Sequence, residues 1–327
     1  MNRRDFGRAS LLGIAGLSLP RGAAAQTTAG YRYIHLDVFT DRRMQGNQLF
    51  VFTQPAGLDT ETMQTMTRES NLSECTFVFP PEQAGTDHRV RIFTRTAETP
   101  FAGHPTIGTA FALAHAGVLK PGTARTTFGL GVGPTNLDLD WKDGKLSFAW
   151  MTQQKPTFGK TVADAAALGA AIGLDAASVD TRAPAQEVYS GSTFFIVPLA
   201  TRKAVDAAVL DRAKVDAVFA AAGVQRRGIY VFSIEQTGDG ASAYSRMLPA
   251  GGIEDPATGS AVGPAGCFAA KYGFVPRDRV TAMIFLQGVF AKRPSRLHVR
   301  ALMSGAEVTG VQVGGTSVVV GEGTMSV

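Results

Sequence analysis

The sequence predicts an α/β (α+β) fold built from two similar domains, and three observations support this expectation. Short stretches of alternating apolar residues, typical of strands, are interspersed with alanine-rich stretches that are typical of helices. A strand–strand–loop–helix pattern occurs twice along the chain, which indicates an internal duplication. The chain has 327 residues, of which 45% are hydrophobic and 18% are charged. This composition is globular and supplies enough apolar side chains for a core in each of two domains.

The predicted elements follow one another in each half of the chain. A helix is expected over residues 60–69, with Asp59 as its N-cap. Alanine-rich helices are expected over residues 162–172 and 212–222. The apolar alternation predicts strands at residues 31–39, 49–52, 76–79, 89–93, 136–141, 145–150, 193–199, 228–234, 242–247, 281–286, 296–302, 307–313 and 317–320.

The repeat is clearest in two heptapeptides that each precede an alanine-rich segment. HPTIGTA at residues 104–110 matches DPATGSA at residues 255–261 when the chain is aligned with itself at an offset of 151. The sequence predicts a boundary near Pro156, between an N-terminal domain over residues 26–156 and a C-terminal domain over residues 157–327. Duplicated halves of this kind commonly pack with equivalent loops facing one another across a cleft.

Each of the two loops opens a helix, and helix N-termini present unpaired N–H groups and the positive end of the helix dipole. Two such ends aimed at one cleft would hold a carboxylate. Gly103, Gly259 and Ser260 are small enough for the backbone to approach a ligand closely. At an offset of 151, His104 and Asp255 would occupy equivalent places on the two sides. The alternative is that both loops are simple turns punctuated by Gly and Pro.

The first 25 residues have the order of features found in an export signal. Twin arginines, Arg3 and Arg4, precede Phe6, as in segments read by the bacterial Tat exporter. An apolar stretch at residues 11–19 and a run of alanines at residues 23–25 follow, before an expected cleavage ahead of residue 26. The alternative is a basic N-terminal arm. We expect a soluble, periplasmic mature protein with no association with the membrane after the signal is removed.

Charge and cysteine content exclude several classes of protein. The net charge of +5 is concentrated in the export segment, and Arg42-Arg43 and Arg226-Arg227 are short doublets without interleaved aromatic residues, so no nucleic-acid partner is expected. The two cysteines, Cys75 and Cys267, form either a disulfide or two buried free thiols, and the second arrangement is favoured. No spacing typical of a metal site occurs. A homodimer remains open, because no residue in the sequence decides it.

Five motifs in the same order along the chain resemble those of the PhzF family of phenazine-biosynthesis-like isomerases. They run from about residue 31 to residue 327, and five ordered matches are more specific than one short motif. The motifs are Asp37-Val38-Phe39 with Gly46-Asn47, Asn71-Leu72-Ser73-Glu74-Cys75-Thr76-Phe77-Val78, Phe101-Ala102-Gly103-His104-Pro105, Glu254-Asp255-Pro256-Ala257-Thr258-Gly259-Ser260-Ala261, and Leu286-Gln287-Gly288 with Arg293-Pro294-Ser295.

The resemblance implies the diaminopimelate-epimerase fold, in which two pseudo-symmetric domains each curl a mixed sheet around a central helix. It also implies an isomerase that acts on a small-molecule carboxylate without a metal or an organic cofactor, as in the isomerisation of trans-2,3-dihydro-3-hydroxyanthranilate. By resemblance, the catalytic residues are Glu74, His104 and Asp255, and the substrate-binding residues are Asn47, Gly103, Gly259 and Ser260.

These residue types suit a proton shift. Glu74 can take a proton from carbon and return it nearby if a dry pocket raises its pKa towards neutrality. His104 is a candidate hydrogen-bond or proton donor to the substrate. Asp255 is a candidate to orient His104 or to bind a substrate amine, with capping of the next helix as its alternative role.

Two rival functions follow from the same features. A two-base epimerase or racemase of this fold uses two cysteines at symmetric loop positions, but Cys75 and Cys267 are 192 residues apart and do not match the offset of the repeat. A periplasmic carboxylate-binding protein without turnover would also suit a two-domain cleft with two helix N-termini. Glu74 argues against this rival, because binding an anion gains nothing from a buried carboxylate.

The export assignment predicts that the double substitution Arg3→Lys with Arg4→Lys retains the precursor in the cytoplasm, since the exporter reads the arginine pair itself. Cell fractionation with immunoblotting measures the outcome. Arg8→Lys, outside the pair, is the matched control and should leave export unchanged. Mature protein in the periplasm at the unsubstituted level would show that the segment is not a twin-arginine signal.

Overall fold

The structure is a computed structural model that describes residues 30–225, 228–249 and 251–327. The expected export segment and the doublet Arg226-Arg227 lie outside these described residues. In the described part of the chain, no helix has the length and apolarity needed to cross a membrane.

Strands predominate in the described chain, with six helices between them. The strands are β1 Gly30–Val38, β2 Asn47–Phe52, β3 Glu74–Phe79, β4 His88–Thr94, β5 Glu98–Thr99, β6 Arg125–Leu130, β7 Gly133–Lys142, β8 Lys145–Thr152, β9 Thr157–Val162, β10 Ala185–Tyr189, β11 Thr193–Pro198, β12 Gly228–Ser233, β13 Ala243–Leu248, β14 Met283–Gln287, β15 Ser295–Ser304, β16 Glu307–Gly315 and β17 Ser317–Ser326. The helices are α1 Thr60–Ser70, α2 Gly103–His115, α3 Ala165–Ala171, α4 Arg202–Ala207, α5 Arg212–Ala222 and α6 Gly259–Lys271.

The strands form a curled mixed sheet that encloses one buried helix in each half. In the first half, the order β17-β1-β2-β3-β4-β6-β7-β8 surrounds α2. In the second half, the order β9-β10-β11-β12-β13-β14-β15-β16 surrounds α6. The parallel pairs fall at equivalent places, β2–β3 and β4–β6 against β11–β12 and β13–β14. The predicted α/β (α+β) fold class, with a curled mixed sheet around a central helix, is confirmed.

The sheet also connects the two halves. β8 pairs antiparallel with β16, so the two curled sheets are continuous. The C-terminal strand β17 returns to pair with β1 in the first half. The partition into domains at residues 26–156 and 157–327 stays a prediction, and the structure adds that the last strand crosses back over it.

The two helices enclosed by the sheets, α2 and α6, are rich in small and apolar residues, as is typical of helices that are buried on every side. All residues of α2 from Gly103 to Leu113 are buried. Its threonines are satisfied locally: Thr106 Oγ1 donates to Ala102 O at 2.7 Å, and Thr109 Oγ1 donates to Pro105 O at 2.7 Å. No polar hydroxyl of α2 is therefore left to destabilise the core.

The register of the repeat predicted from the sequence is wrong. α2 begins at Gly103 and α6 begins at Gly259, and both helices have 13 residues. The structural offset is therefore 156 residues, and His104 corresponds to Ser260 rather than to Asp255. The motif Asp255-Pro256 lies in the loop ahead of its helix, whereas His104-Pro105 lies in the first turn of its helix, where Pro is tolerated because the first turn lacks N–H partners.

The predicted boundaries of other elements are mostly close to those observed. Asp59 caps α1 through Thr62 N, and α5 covers the expected residues 212–222 with Asp211 as its cap. α3 is shorter than the expected helix over residues 162–172, because Asp164 accepts hydrogen bonds from the first turn and fixes the helix start behind it. Strands β5, β6, β9 and β10 and helix α4 were not predicted.

A buried ion pair locks the first half to the second. Arg293 Nη2 contacts Asp37 Oδ1 at 2.5 Å, and Asp37 is only 2% exposed. The same guanidinium donates from Nε to Gly46 O at 2.8 Å and from Nη2 to Gln45 O at 2.8 Å. Asp37 Oδ2 in turn accepts from Met44 N at 2.6 Å. The loop that leads into β2 is therefore held by the loop between β14 and β15.

Asp37→Asn should lower the free energy of unfolding by about 3 kcal/mol, because it leaves the partly buried guanidinium without its counter-charge. Urea unfolding followed by circular dichroism measures this loss. Glu82→Gln is the matched control, because Glu82 and Arg89 form an exposed ion pair. Exposed pairs contribute less than about 1 kcal/mol to the free energy of unfolding. Equal losses in the two variants would contradict a special role for the Asp37–Arg293 pair.

Candidate active site

The start of β3 and the start of α2 place two of the predicted catalytic side chains against each other. Glu74 is the first residue of β3, and His104 is the second residue of α2. Glu74 Oε2 lies 3.3 Å from His104 Nδ1, and the two side chains are 17% and 3% exposed. A carboxyl and an imidazole therefore meet at a place that is largely shielded from water.

The side-chain amide of Asn47, at the start of β2, joins this pair to the second half of the chain. Asn47 Nδ2 donates to Asp255 Oδ1 at 2.6 Å and to Ala257 O at 3.0 Å, and it lies 3.1 Å from His104 Nδ1. Because an amide nitrogen carries only two hydrogens, and Asp255 and Ala257 take both, His104 Nδ1 remains available to Glu74. Asn47 stands between His104 and Asp255, and no hydrogen bond in the described chain joins the Asp255 carboxylate directly to the imidazole.

Asp255 is held by hydrogen bonds to its carboxylate and to its backbone. Thr258 Oγ1 donates to Asp255 Oδ2 at 2.8 Å, and Gln287 Nε2 donates to Asp255 O at 2.9 Å. Both carboxylate oxygens therefore accept a hydrogen bond, one from Asn47 and one from Thr258. The alternative role of Asp255 as a helix cap is not observed, because Thr258 occupies the N-cap position of α6.

Burial dominates the ionisation of all three groups. Burial, together with a smaller effect of the Asp255 charge, raises the pKa of Glu74 to about 8. Burial also raises the pKa of Asp255 to about 6, against hydrogen bonds from Thr258, Asn47 and the Ala257 backbone that favour its ionised form. Burial lowers the pKa of His104 to about 3. Near neutral pH, the imidazole is therefore uncharged, and a proton is held in a site with two carboxyl groups.

The N-termini of the two central helices meet beside these side chains. A Cβ placed on Gly103 would lie 2.3 Å from the carbonyl carbon of Gly259 and 2.5 Å from the backbone nitrogen of Ser260. Side chains of Asp59, Asp164, Thr201 and Asp211 cap the helices α1, α3, α4 and α5, whereas α2 and α6 have no side-chain cap. Their first-turn N–H groups are thus available to an anion.

Two polar groups at these helix ends have no partner within the described chain. His104 Nε2 is buried and makes no hydrogen bond. Ser260 is the second residue of α6. Its side chain is partly buried and forms no hydrogen bond with any residue of the described chain. A buried polar atom without a partner is costly, so His104 Nε2 is suited to contact a ligand, and the partly buried Ser260 hydroxyl lies beside it at the other helix end.

A cavity of about 160 Å³ opens over Asn47 and Asp255 at the junction of the two halves. The first half contributes Ser73 and Arg95 to its lining, and the second half contributes Glu254. At roughly 30 Å³ per water molecule, this space suits a small ligand. Larger cavities of about 580 and 540 Å³ lie beside the end of α2 and beside α1, and their linings contain none of the predicted site residues.

The structure thus brings all the residues of the predicted site to one place. Glu74, His104, Asn47 and Asp255 are linked by contacts of 2.6–3.3 Å. Gly103, Gly259 and Ser260 form the adjacent helix ends. The roles predicted for these residues stay predictions.

Sequence reasoning missed the hydrogen-bonding residues beneath Asp255: Thr258, Gln287 and Tyr230. Thr258 and Gln287 lie inside motifs already singled out, but nothing in those motifs indicates that their side chains form hydrogen bonds with Asp255.

The two cysteines are free and buried, which confirms the favoured expectation and rules out a disulfide. Burial raises the pKa of Cys75 to about 11 and raises the pKa of Cys267 as well. Both groups are therefore thiols at neutral pH. Among the described residues, no group of three or more His, Cys, Asp or Glu side chains is arranged to hold a metal ion.

Comparison with known proteins finds relatives along nearly the whole chain. A family model described as "Phenazine biosynthesis-like protein" (PhzC-PhzF) matches residues 36–323. A trans-2,3-dihydro-3-hydroxyanthranilate isomerase of Pseudomonas aeruginosa is 36% identical over 296 residues, which cover 90% of this chain and 98% of the relative.

Solved structures show the same similarity. A phenazine biosynthesis protein of the PhzF family from Bacillus anthracis superposes with a TM-score of 0.80 at 26% identity, over 91% of this chain and 100% of the other. A protein from Pseudomonas aeruginosa described as a predicted epimerase superposes with a TM-score of 0.75 at 30% identity, over 90% and 99% of the two chains.

Gly103→Ala should separate the two helix ends, because the added methyl would meet backbone atoms that cannot move aside independently. We expect the free energy of unfolding to fall by about 1–3 kcal/mol, the usual effect of overpacking, as measured by urea unfolding. Gly321→Ala is the control, because no atom lies within 4 Å of the position of its Cβ; it should change the free energy by less than about 0.5 kcal/mol. An unchanged free energy of unfolding in Gly103→Ala would contradict the close approach of the two helix N-termini.

Proposed function

The chain belongs to the phenazine biosynthesis-like (PhzC-PhzF) family, and we propose that this isomerase shifts a proton on a small cyclic or amino carboxylate by Glu74 acid/base catalysis. The observation that carries the proposal is the Glu74 carboxyl, whose pKa is raised to about 8 and which lies 3.3 Å from the neutral imidazole of His104. A carboxyl with a pKa near the working pH can both take and return a proton.

The reaction needs one group that removes a proton from a carbon atom and delivers it to a nearby atom. In its ionised form, Glu74 accepts the proton from the substrate carbon and becomes a neutral carboxylic acid. The same acid then donates that proton to a second position on the same face of the substrate, and the ionised carboxylate is regenerated. Proton and charge balance without an external acid, and largely excluded water keeps the proton from exchanging freely.

The two uncapped helix ends would hold the substrate carboxylate. Backbone N–H groups near Gly103 and Gly259 provide donors, and the dipoles of α2 and α6 favour a negative charge there. His104, being neutral, would act as a hydrogen-bond donor through its unpartnered Nε2 rather than as a proton source. Ser260 and Asp255 would bind the remaining polar groups of the substrate, such as an amine, and Asn47 would keep Asp255 in place.

The substrate class follows from the relatives. The relative from Pseudomonas aeruginosa is named for trans-2,3-dihydro-3-hydroxyanthranilate, a cyclic amino acid. We propose a substrate of this class and a reaction without a metal or an organic cofactor. We also keep the proposal of periplasmic action after twin-arginine export, which rests on the N-terminal segment alone.

A two-base epimerase that uses cysteines is less well supported. Cys75 and Cys267 are both buried and their raised pKa values keep them protonated. His104 and Ser260 occupy the symmetric positions at the two helix starts, and neither forms a thiolate. A carboxylate-binding protein without turnover is also disfavoured, because a second buried carboxyl beside Asp255 would only weaken the binding of an anion.

Glu74→Gln keeps the shape of the side chain and removes its ability to accept a proton. Turnover should fall by roughly 10²–10⁴-fold, the usual contribution of a positioned acid/base. The assay is isomerisation of a panel of cyclic amino carboxylates that starts with trans-2,3-dihydro-3-hydroxyanthranilate, and carboxylate affinity should persist because the helix ends provide it. Cys75→Ser, at the adjacent position, is the control and should reduce turnover far less.

The unsubstituted enzyme should also show the titration of Glu74. A carboxyl is protonated below its pKa and cannot then accept a proton, so kcat/KM should rise with pH around a midpoint near 8. This limb should be absent from the residual activity of Glu74→Gln. Full activity in Glu74→Gln, combined with loss of activity in Cys75→Ser, would replace the proposal by a thiol mechanism.

A further inference from the structure

A fully buried amide beneath the active site is the starting point for a further inference. Gln287, at the end of β14, has no exposed surface. Its Oε1 accepts from Thr258 N at 3.1 Å, and its Nε2 donates to Asp255 O at 2.9 Å. A backbone N–H can only donate and a backbone carbonyl can only accept, so these two contacts fix which end of the amide is oxygen and which is nitrogen.

The orientation of Gln287 determines the direction of the next hydrogen bond. Gln287 Nε2 also lies 3.0 Å from Thr258 Oγ1, and because Nε2 has no lone pair to offer, the hydroxyl oxygen must accept there. The single hydrogen of the Thr258 hydroxyl is then free to point at Asp255 Oδ2, which is 2.8 Å away. Tyr230, buried below, donates to Gln287 Oε1 at 3.1 Å or to Ser245 Oγ at 2.8 Å, and it completes the network.

The other oxygen of Asp255 also faces a donor of fixed direction. Asn47 Nδ2 is anchored as nitrogen by Ala257 O, a pure acceptor at 3.0 Å, so its remaining hydrogen points at Asp255 Oδ1 at 2.6 Å. Neither of these hydrogen bonds can be reversed without breaking another. Two donors aimed at both oxygens favour the ionised form of a carboxyl group.

Glu74 has no equivalent arrangement. Among the described residues, its carboxyl has one polar neighbour, His104 Nδ1 at 3.3 Å. In the tautomer of the neutral imidazole that carries its hydrogen on Nε2, Nδ1 has a lone pair and can accept. A protonated Glu74 can therefore donate to it, whereas an ionised Glu74 would face a lone pair.

We propose that Thr258, oriented by Gln287, is a positioning residue that keeps Asp255 ionised and thereby holds the shared proton of the site on Glu74. This inference rests on the proposed acid/base function of Glu74, which it deepens by naming the residues that set the ionisation state of the catalytic carboxyl. The network acts only through Asp255, so neither Thr258 nor Gln287 needs to touch the substrate.

The surrounding charged groups do not override the effect of this hydrogen-bond network on the ionisation of Asp255 and Glu74. The charge of Glu254 raises the pKa of Asp255, and a buried pair at 2.7 Å with Arg246 opposes that effect. Arg293 and Arg95 line the same cavity, but Arg293 is paired with Asp37, and Arg95 is exposed and donates to Asn71 Oδ1 at 3.4 Å. The remaining titratable groups that face the two carboxyls are His104, which is neutral, and Tyr230 and Cys75, whose raised pKa values keep them protonated.

The test removes the hydroxyl of Thr258 and follows both carboxyl groups. Thr258→Val should raise the titration midpoint of Asp255 by about one pH unit, the effect of losing one hydrogen bond to a charged group. Asp255 then ionises later, so the midpoint of Glu74 should fall, and the rising limb of kcat/KM should move to lower pH. Carbon-13 NMR of the side-chain carboxyls measures the two midpoints, with Glu74→Gln and Asp255→Asn providing the assignments.

Three further variants make this test specific. Thr258→Ser restores the hydroxyl and should return both midpoints to their original values. Thr126→Val is the matched control, since Thr126 is a buried threonine that donates to Asp87 Oδ2 at 3.0 Å; it should leave the site titrations unchanged. If Thr258→Val does not fold, Thr258→Ala removes the same hydroxyl without the added methyl and should shift the midpoints in the same directions.

The outcomes separate this inference from the proposed function. Unchanged midpoints in both Thr258→Val and Thr258→Ala, or a rise in the Glu74 midpoint, would overturn the inference. If Glu74→Gln abolishes turnover but the titration midpoints of Asp255 and Glu74 do not change in the Thr258 variants, only the inference fails. If the midpoints respond to Thr258 but Glu74→Gln remains fully active, the network stands and the proposed function of Glu74 fails.

Discussion

The close approach of two buried helix N-termini is the constraint on which the rest of this structure depends. Gly103 and Gly259 bring the starts of α2 and α6 so near that a single Cβ would collide with the opposite backbone. Two positive dipole ends repel each other, so the arrangement is held by other interactions. The curled sheets bury the apolar surfaces of both helices, and this burial supplies the dominant favourable free energy. Under the proposed function, the result is a preorganised place for the substrate carboxylate.

The same burial generates the chemistry of the site. A carboxyl group that loses its contact with water ionises less readily, which raises the pKa values of both Glu74 and Asp255. An imidazole in the same surroundings remains neutral, as His104 does. Burial alone does not decide where the proton lies, because it acts on both carboxyls in the same direction. In our proposal, directed hydrogen bonds to Asp255 make that choice and leave Glu74 as the group that exchanges a proton.

Contacts between the halves keep these groups in register. Asn47 belongs to the first half, and its amide donates to two acceptors of the second half, Asp255 and Ala257. The loop that precedes Asn47 accepts hydrogen bonds from Arg293, which also forms an ion pair with Asp37. Movement of one half against the other would break this set of bonds together. The acid/base pair therefore depends on the alignment of the halves as much as on its own residues.

The sequence by itself determined the fold class and the cap of α1, because alternation and capping side chains are properties of short segments. Its motifs, through their resemblance to the PhzF family, indicated the residues that the structure brings together at the candidate site. It did not determine the register of the repeat, since Asp255-Pro256 and His104-Pro105 look alike in sequence but lie before and within their helices. It also did not indicate that Gln287 and Thr258 act on Asp255. Only the tertiary structure decided these points, because hydrogen-bond direction and the burial that shifts a pKa arise where distant segments meet.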